Sequence, residues 1–141
     1  MTFDVLGDLN WLAVLVAGVA FFALGGLWYS NLMFGKQWSL AVGWEAPEGE
    51  RPPVSLYLMP LATCLVSAVG LAMLAVATTS DTVGEGVVLG LVTGIALAAS
   101  ALVVTGFFDP KKPRPMVWVA ITSGYHVVGF VVVATIVSAW T

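Results

Sequence analysis

Residues 86–108 read GVVLGLVTGIALAASALVVTGFF, 23 positions without one charged side chain. At 1.5 Å per residue such a helix crosses a hydrocarbon core of about 30 Å. Three more apolar runs, roughly 9–30, 54–78 and 115–139, have comparable length. Within lipid the backbone must satisfy its own hydrogen bonds, so only helices or a closed barrel can cross. The runs are continuous rather than alternating, which selects helices. The sequence therefore predicts an all-α, single-domain polytopic membrane protein, a four-transmembrane-helix bundle.

Composition agrees. Hydrophobic residues make up 60% of the 141 positions and charged residues 9%, against about 25% charged in soluble domains. Mean hydropathy is +0.99. A net charge of -3 argues against nucleic-acid binding. Cys64 is the one cysteine, so an internal disulfide and dithiol redox chemistry of the four-helix disulfide-reductase type are excluded.

The charges set an orientation. Lys36 and Arg51 fall in the first connection, and Lys111, Lys112 and Arg114 in the third. With four crossings those connections share a side. Asp4, Asp8, Asp81 and Glu85 fall on the other, which has no Lys or Arg. Short basic loops stay in the cytoplasm. The expectation is a cytoplasmic-membrane protein with both termini outside. The start carries Asp4 and Asp8 instead of a basic region, so the first segment is read as a retained span and not a secretory signal.

The connection 31–53 has two halves. Phe34, Trp38, Ala41 and Val42 share one side of a helical projection, which predicts a short helix lying in the interface. Residues 43–53 contain three Glu, three Pro and two Gly and read as a solvated turn. Trp11 and the Trp28/Tyr29 pair are about 26 Å apart along a helix and suit two interfacial anchors. Pro60 lies inside the second span and predicts a local distortion.

In the third span Gly86, Gly90, Gly94 and Ala98 recur every four residues. Small residues at that spacing let two backbones approach closely. The partner is either an internal neighbour or another subunit.

His126 is the one histidine. It lies about 16 Å into the last span, near mid-membrane. An ionisable group there points to function, while a neutral imidazole bonded to a helix neighbour is the plainer alternative. Thr122 and Ser123 precede it by one turn and Tyr125 adjoins it. By depth, Cys64, Ser67 and Ser100 could face it. The expected cluster is His126, Thr122 and Ser123 with Ser67 or Ser100, turned toward the bundle interior. No metal-ligand spacing, catalytic set or cofactor motif is legible, so no metal, cofactor or catalytic residue is expected. No carboxylate lies deep in the first span, which argues against a proton-coupled exporter of the small multidrug type.

Asn10-Trp11, then Trp28-Tyr29-Ser30-Asn31, Phe34-Gly35-Lys36-Gln37-Trp38 and Gly124-Tyr125-His126 together resemble a bacterial and fungal membrane family known as domain of unknown function 1761. The resemblance covers nearly the whole chain, with Asn31 where the family usually has proline. It implies a four-helix membrane protein and no particular activity. It directs attention to Trp28, Tyr29, Lys36 and Trp38 beside the basic turn, a setting suited to an anionic or acidic-headed amphiphile.

The function expected is the first of the following two, with the second as its alternative. The first is a structural or accessory protein that assembles through the glycine face, as a homo-oligomer or as a subunit of a larger membrane complex. The second is a small transporter, channel or lipid-binding module using the polar cluster around His126. Membrane lipids are the expected surroundings in both.

Overall fold

A computed structural model describes residues 2–45 and 53–140. Arg51, Glu48 and Glu50 of the expected solvated turn lie outside the described residues. The described chain is helical and has no strand. Four helices are long and apolar enough to cross a membrane: α1 (Trp11–Trp28), α3 (Ser55–Thr78), α4 (Val83–Phe107) and α5 (Pro115–Ala139). The short helix α2 (Gly35–Val42) joins α1 to α3. A 3-10 turn, Phe3–Gly7, precedes α1.

The helix ends obey local chemistry. Asn10 caps α1 by accepting from the Ala13 amide, and its Nδ2 donates to the Trp140 carbonyl at 2.8 Å. One residue thus starts the first span and ties it to the end of the last. Thr82 and Glu85 form a reciprocal capping box, which satisfies two amides that the first turn leaves free. That box lets α4 begin at Val83, three residues before the apolar run. Pro115 opens α5, where its missing N–H costs nothing.

The last helix is the centre of the bundle. Its most apolar window is 39% buried, against 17% for α4. It packs against α1, α3 and α4, while α3 and α4 barely touch each other. The glycine face explains the tightest of these contacts. A Cβ at Gly90 would lie 2.4 Å from the Val131 Cα, at Gly86 2.7 Å from the Thr135 Cα, and at Gly94 2.9 Å from the Val127 Cα. Backbone lies against backbone, and dispersion holds such a seam in lipid. The neighbour is therefore α5 of the same chain. Another subunit could reach this face only by displacing α5. Of the two partners expected for this face, an internal neighbour or another subunit, the structure places the internal one there.

Beyond Gly94 the repeat breaks. Residues Gly94–Ala99 form a π-helical segment, and Ala98 within it is only half-buried. One added residue rotates the remainder of α4 by about 100°.

The connections gather by charge. At one end α2 meets the third connection: the Arg114 amide donates to the Ala41 carbonyl, and Gly43, at φ 68°, closes α2 close to Pro113. Lys112 pairs with Asp109 and sits over the Trp118 ring at 4.5 Å. The Lys112 ammonium holds the Asp109 carboxyl below its usual range. The opposite end carries Asp4, Asp8, Asp81 and Glu85. The large apolar side chains left exposed along the helices, such as Val66, Leu97 and Val104, suit an acyl-chain environment.

Candidate functional site: a lateral cleft at His126

The aromatic residues of three of the matching motifs, Trp28, Tyr29, Phe34, Trp38 and Tyr125, form one column. Ser30 shapes the exit from α1. Its hydroxyl donates to the Leu27 carbonyl and accepts from the Leu32 amide, with Asn31 exposed in the turn. The Phe34 amide returns to the Trp28 carbonyl, and a Cβ at Gly35 would lie 2.3 Å from the Tyr29 carbonyl oxygen. This folds α2 back so that Trp38 meets Tyr29 edge-on at 5.6 Å and Phe34 meets Trp28 at 4.9 Å. Trp28 Nε1 donates to the Ile121 carbonyl on α5 at 3.0 Å.

The column continues into the bundle. Tyr29 packs on Tyr125 at 5.3 Å, Tyr125 stacks on Phe21 at 4.8 Å, and His126 lies edge-on to Tyr125 at 5.0 Å and to Phe130 at 6.2 Å. The Tyr125 hydroxyl donates to the Phe21 carbonyl at 3.3 Å and lies 3.5 Å from Cys64 Sγ. Lys36 stands apart from this column, exposed on α2.

His126 borders a cleft of about 360 Å³ between α1, α3 and α5. Phe21, Cys64 and Tyr125 form its back, and Ser67 and His126 are polar groups on its wall. Met59, Pro60 and Thr63, all exposed, form a mouth on the side of the bundle. No charged side chain among the described residues lines it. The His126 Nδ1 lies 2.8 Å from the Thr122 carbonyl one turn back. The ring is partly buried, packs against Phe21, Tyr125 and Phe130, and borders this side opening.

The expected cluster is thus reached in part. Ser67 shares the cleft with His126 and Tyr125, and Thr122 contributes its carbonyl. Ser100 does not join them. It is exposed and donates to the Ala96 carbonyl of its own helix. Depth counting fixes a residue's height but not its direction, and the π segment just before Ser100 turns it further away. The Ser123 hydroxyl is buried without a partner among the described residues and does not line the cleft.

A second, apolar furrow of about 210 Å³ runs on from Ser67 between α3 and α4. Leu71, Leu74 and Leu97 wall it and Phe130 floors it. It exists because α3 and α4 hardly meet. Sequence reading missed Met59 and Thr63 as lining residues. It also missed the role of Gly129, the position that lets Phe21 lie against α5. Pro60 was the available signal for the mouth.

Four apolar helices long enough to cross a membrane, packed side by side, define a multi-pass membrane protein. The chain belongs to the family described as Protein of unknown function (DUF1761), whose model matches residues 12–138. No curated protein and no solved structure matches it.

Proposed function

We propose that this protein is a lipid-binding module that takes a neutral amphiphile into the lateral cleft at His126. The observation that carries this reading is the pairing of a polar wall with an apolar continuation. His126 and Ser67 stand at one end, and the furrow over Phe130 leads away from Ser67. The cleft falls in the range of about 300–1,000 Å³ usual for small-molecule sites. Its mouth opens to the side, where a molecule already in the bilayer can enter. A neutral head suits the site, because a charge at this depth without a partner is costly.

The same reading includes an orientation. The basic end faces the cytoplasm across the cell membrane, with both termini outside, since Lys36, Lys111, Lys112 and Arg114 share that end. The aromatic column then runs from the cytoplasmic surface inward to the cleft. Assembly with a second copy or a partner subunit would use a surface other than the glycine face, which α5 fills.

The test is photolabelling in vesicles with a neutral lipid that carries a diazirine on its chain. Adducts should concentrate on the peptides around Met59–Ser67 and Phe130. Ser67→Leu, which fills the junction of cleft and furrow, should cut labelling about tenfold or more. Even labelling of all exposed helix faces, unchanged by Ser67→Leu, would remove the proposal.

A further inference from the structure

We infer that the ligand of this cleft presents a hydroxyl donor: a neutral, tailed alcohol or phenol, bound in preference to its carbonyl or ether counterpart. This inference rests on the cleft-binding reading above and adds the chemical identity of the head. It comes from proton positions that the geometry fixes. The Thr122 carbonyl can only accept, so the His126 Nδ1 at 2.8 Å must carry the proton and donate. In a neutral imidazole the other nitrogen, Nε2, is then an acceptor. No second hydrogen bond to the ring forms among the described residues.

Two of the three hydroxyls of the lining are already committed as donors. Thr63 Oγ1 donates to the Pro60 carbonyl at 2.9 Å, and the Tyr125 hydroxyl to the Phe21 carbonyl. Ser67 can serve either role. The cleft therefore presents an excess of acceptors. A ligand that brings a proton of its own satisfies Nε2. A ketone, quinone or ether brings only lone pairs and leaves Nε2 unpaired, which disfavours it.

The tail has a route as well. The furrow shares Ser67 with the cleft, is apolar along α3 and α4, and has Phe130 as its floor beside the His126 ring. A head at His126 thus places an attached chain between α3 and α4. Two sources supply this chemistry, an aromatic quinol with an apolar tail and an aliphatic long-chain alcohol. The demand for a donated proton is common to both.

The experiment measures binding to the purified full chain in nanodiscs of neutral lipid. Probes are an alkyl hydroquinone, its quinone and its dimethyl ether, and an alcohol of equal chain length with its methyl ether. At least one hydroxyl probe should bind about tenfold or more tightly than its ether, and the hydroquinone arm should also outbind its quinone. The arm that binds names the source. His126→Phe should abolish the discrimination, and His126→Gln, whose amide oxygen can accept, should restore part of it. Equal binding of hydroquinone, quinone and ethers in the wild-type chain would overturn the inference yet leave the cleft reading standing. Failure of every probe to bind, in a chain whose melting temperature shows it folded, would overturn the inference. Loss of cleft photolabelling alongside that failure would remove the cleft reading too.

Discussion

Gly90→Leu is expected to separate α4 from α5 and to unfold the helix pair at far lower denaturant than the wild type. The first added carbon meets Val131 Cα at 2.4 Å and the Phe130 carbonyl oxygen at 2.7 Å. These are backbone atoms of the most buried helix and cannot rotate aside. The helices must part along the seam, which also loosens the contacts at Gly86 and Gly94. Overpacking a well-fitted site costs about 1–3 kcal/mol, and a forced separation of backbones exceeds that range. We expect a loss of at least about 3 kcal/mol for Gly90→Leu, and no folded monodisperse protein for Gly90→Leu combined with Gly94→Leu. Gly26→Leu is the control. Nothing lies within 4 Å of a Cβ there, so its effect should stay within about 0.5 kcal/mol. Unfolding in mixed detergent micelles, monitored by circular dichroism and by tryptophan fluorescence, reads both. Equal stability of the Gly90 and Gly26 variants would mean that α4 does not pack on α5 in this way.

The second large effect is at Gly129. A Cβ there would lie 1.9 Å from one Phe21 ring atom and 2.3 Å from the next. Phe21 is 2% exposed, so its ring is held on most sides and can give way only toward the cleft it backs. Gly129→Ala alone should therefore cost about 1–3 kcal/mol. It should also push Phe21 off Tyr125 and narrow the back of the cleft. Phe21→Leu removes the clash at the expense of the aromatic stack. The two changes share one contact, so their costs should not add, with the double variant recovering at least about 1 kcal/mol relative to the sum. A four-variant unfolding cycle measures this directly. Strict additivity would show that Phe21 does not lie over Gly129.

These two sites mark the limits of what the sequence discloses. The four spans are legible because a charge-free run of some twenty residues has few other fates. The interfacial helix is legible because Phe34, Trp38, Ala41 and Val42 share a side. The four-residue glycine spacing is legible as a seam, but nothing in one sequence says which helix fills it. That depends on the azimuth of α5, which is set by packing. Gly129 gives no signal of its own, since its role is defined by a ring 108 positions earlier in the chain. The cleft is hidden for a related reason. It is space left where α3 and α4 fail to meet, and its rim residues Met59 and Thr63 are ordinary in an apolar span. His126 and Ser67 could be matched by depth. Ser100 matched equally well and lies elsewhere, because the π segment before it changes its direction.

The aromatic column gives the family motifs a common physical sense. Trp28, Tyr29, Trp38 and Tyr125 are separated in sequence but pack in succession from the basic end toward His126. They fix the register of α1, α2 and α5 around the back of the cleft. The hydrogen bond from Trp28 to the Ile121 carbonyl locks the same alignment. A scaffold of this stiffness can hold one ring nitrogen in a constant position within an otherwise apolar opening.

Occupancy of the cleft is the central claim, and native mass spectrometry after gentle detergent release tests it most directly. The wild-type chain should retain a neutral lipid of defined mass at one per chain. Ser67→Leu, made in the same host and released in the same detergent, should lose that adduct while keeping its melting temperature. Retention of the same adduct by the folded Ser67→Leu variant, or wild-type spectra with only a spread of ordinary phospholipids, would contradict it.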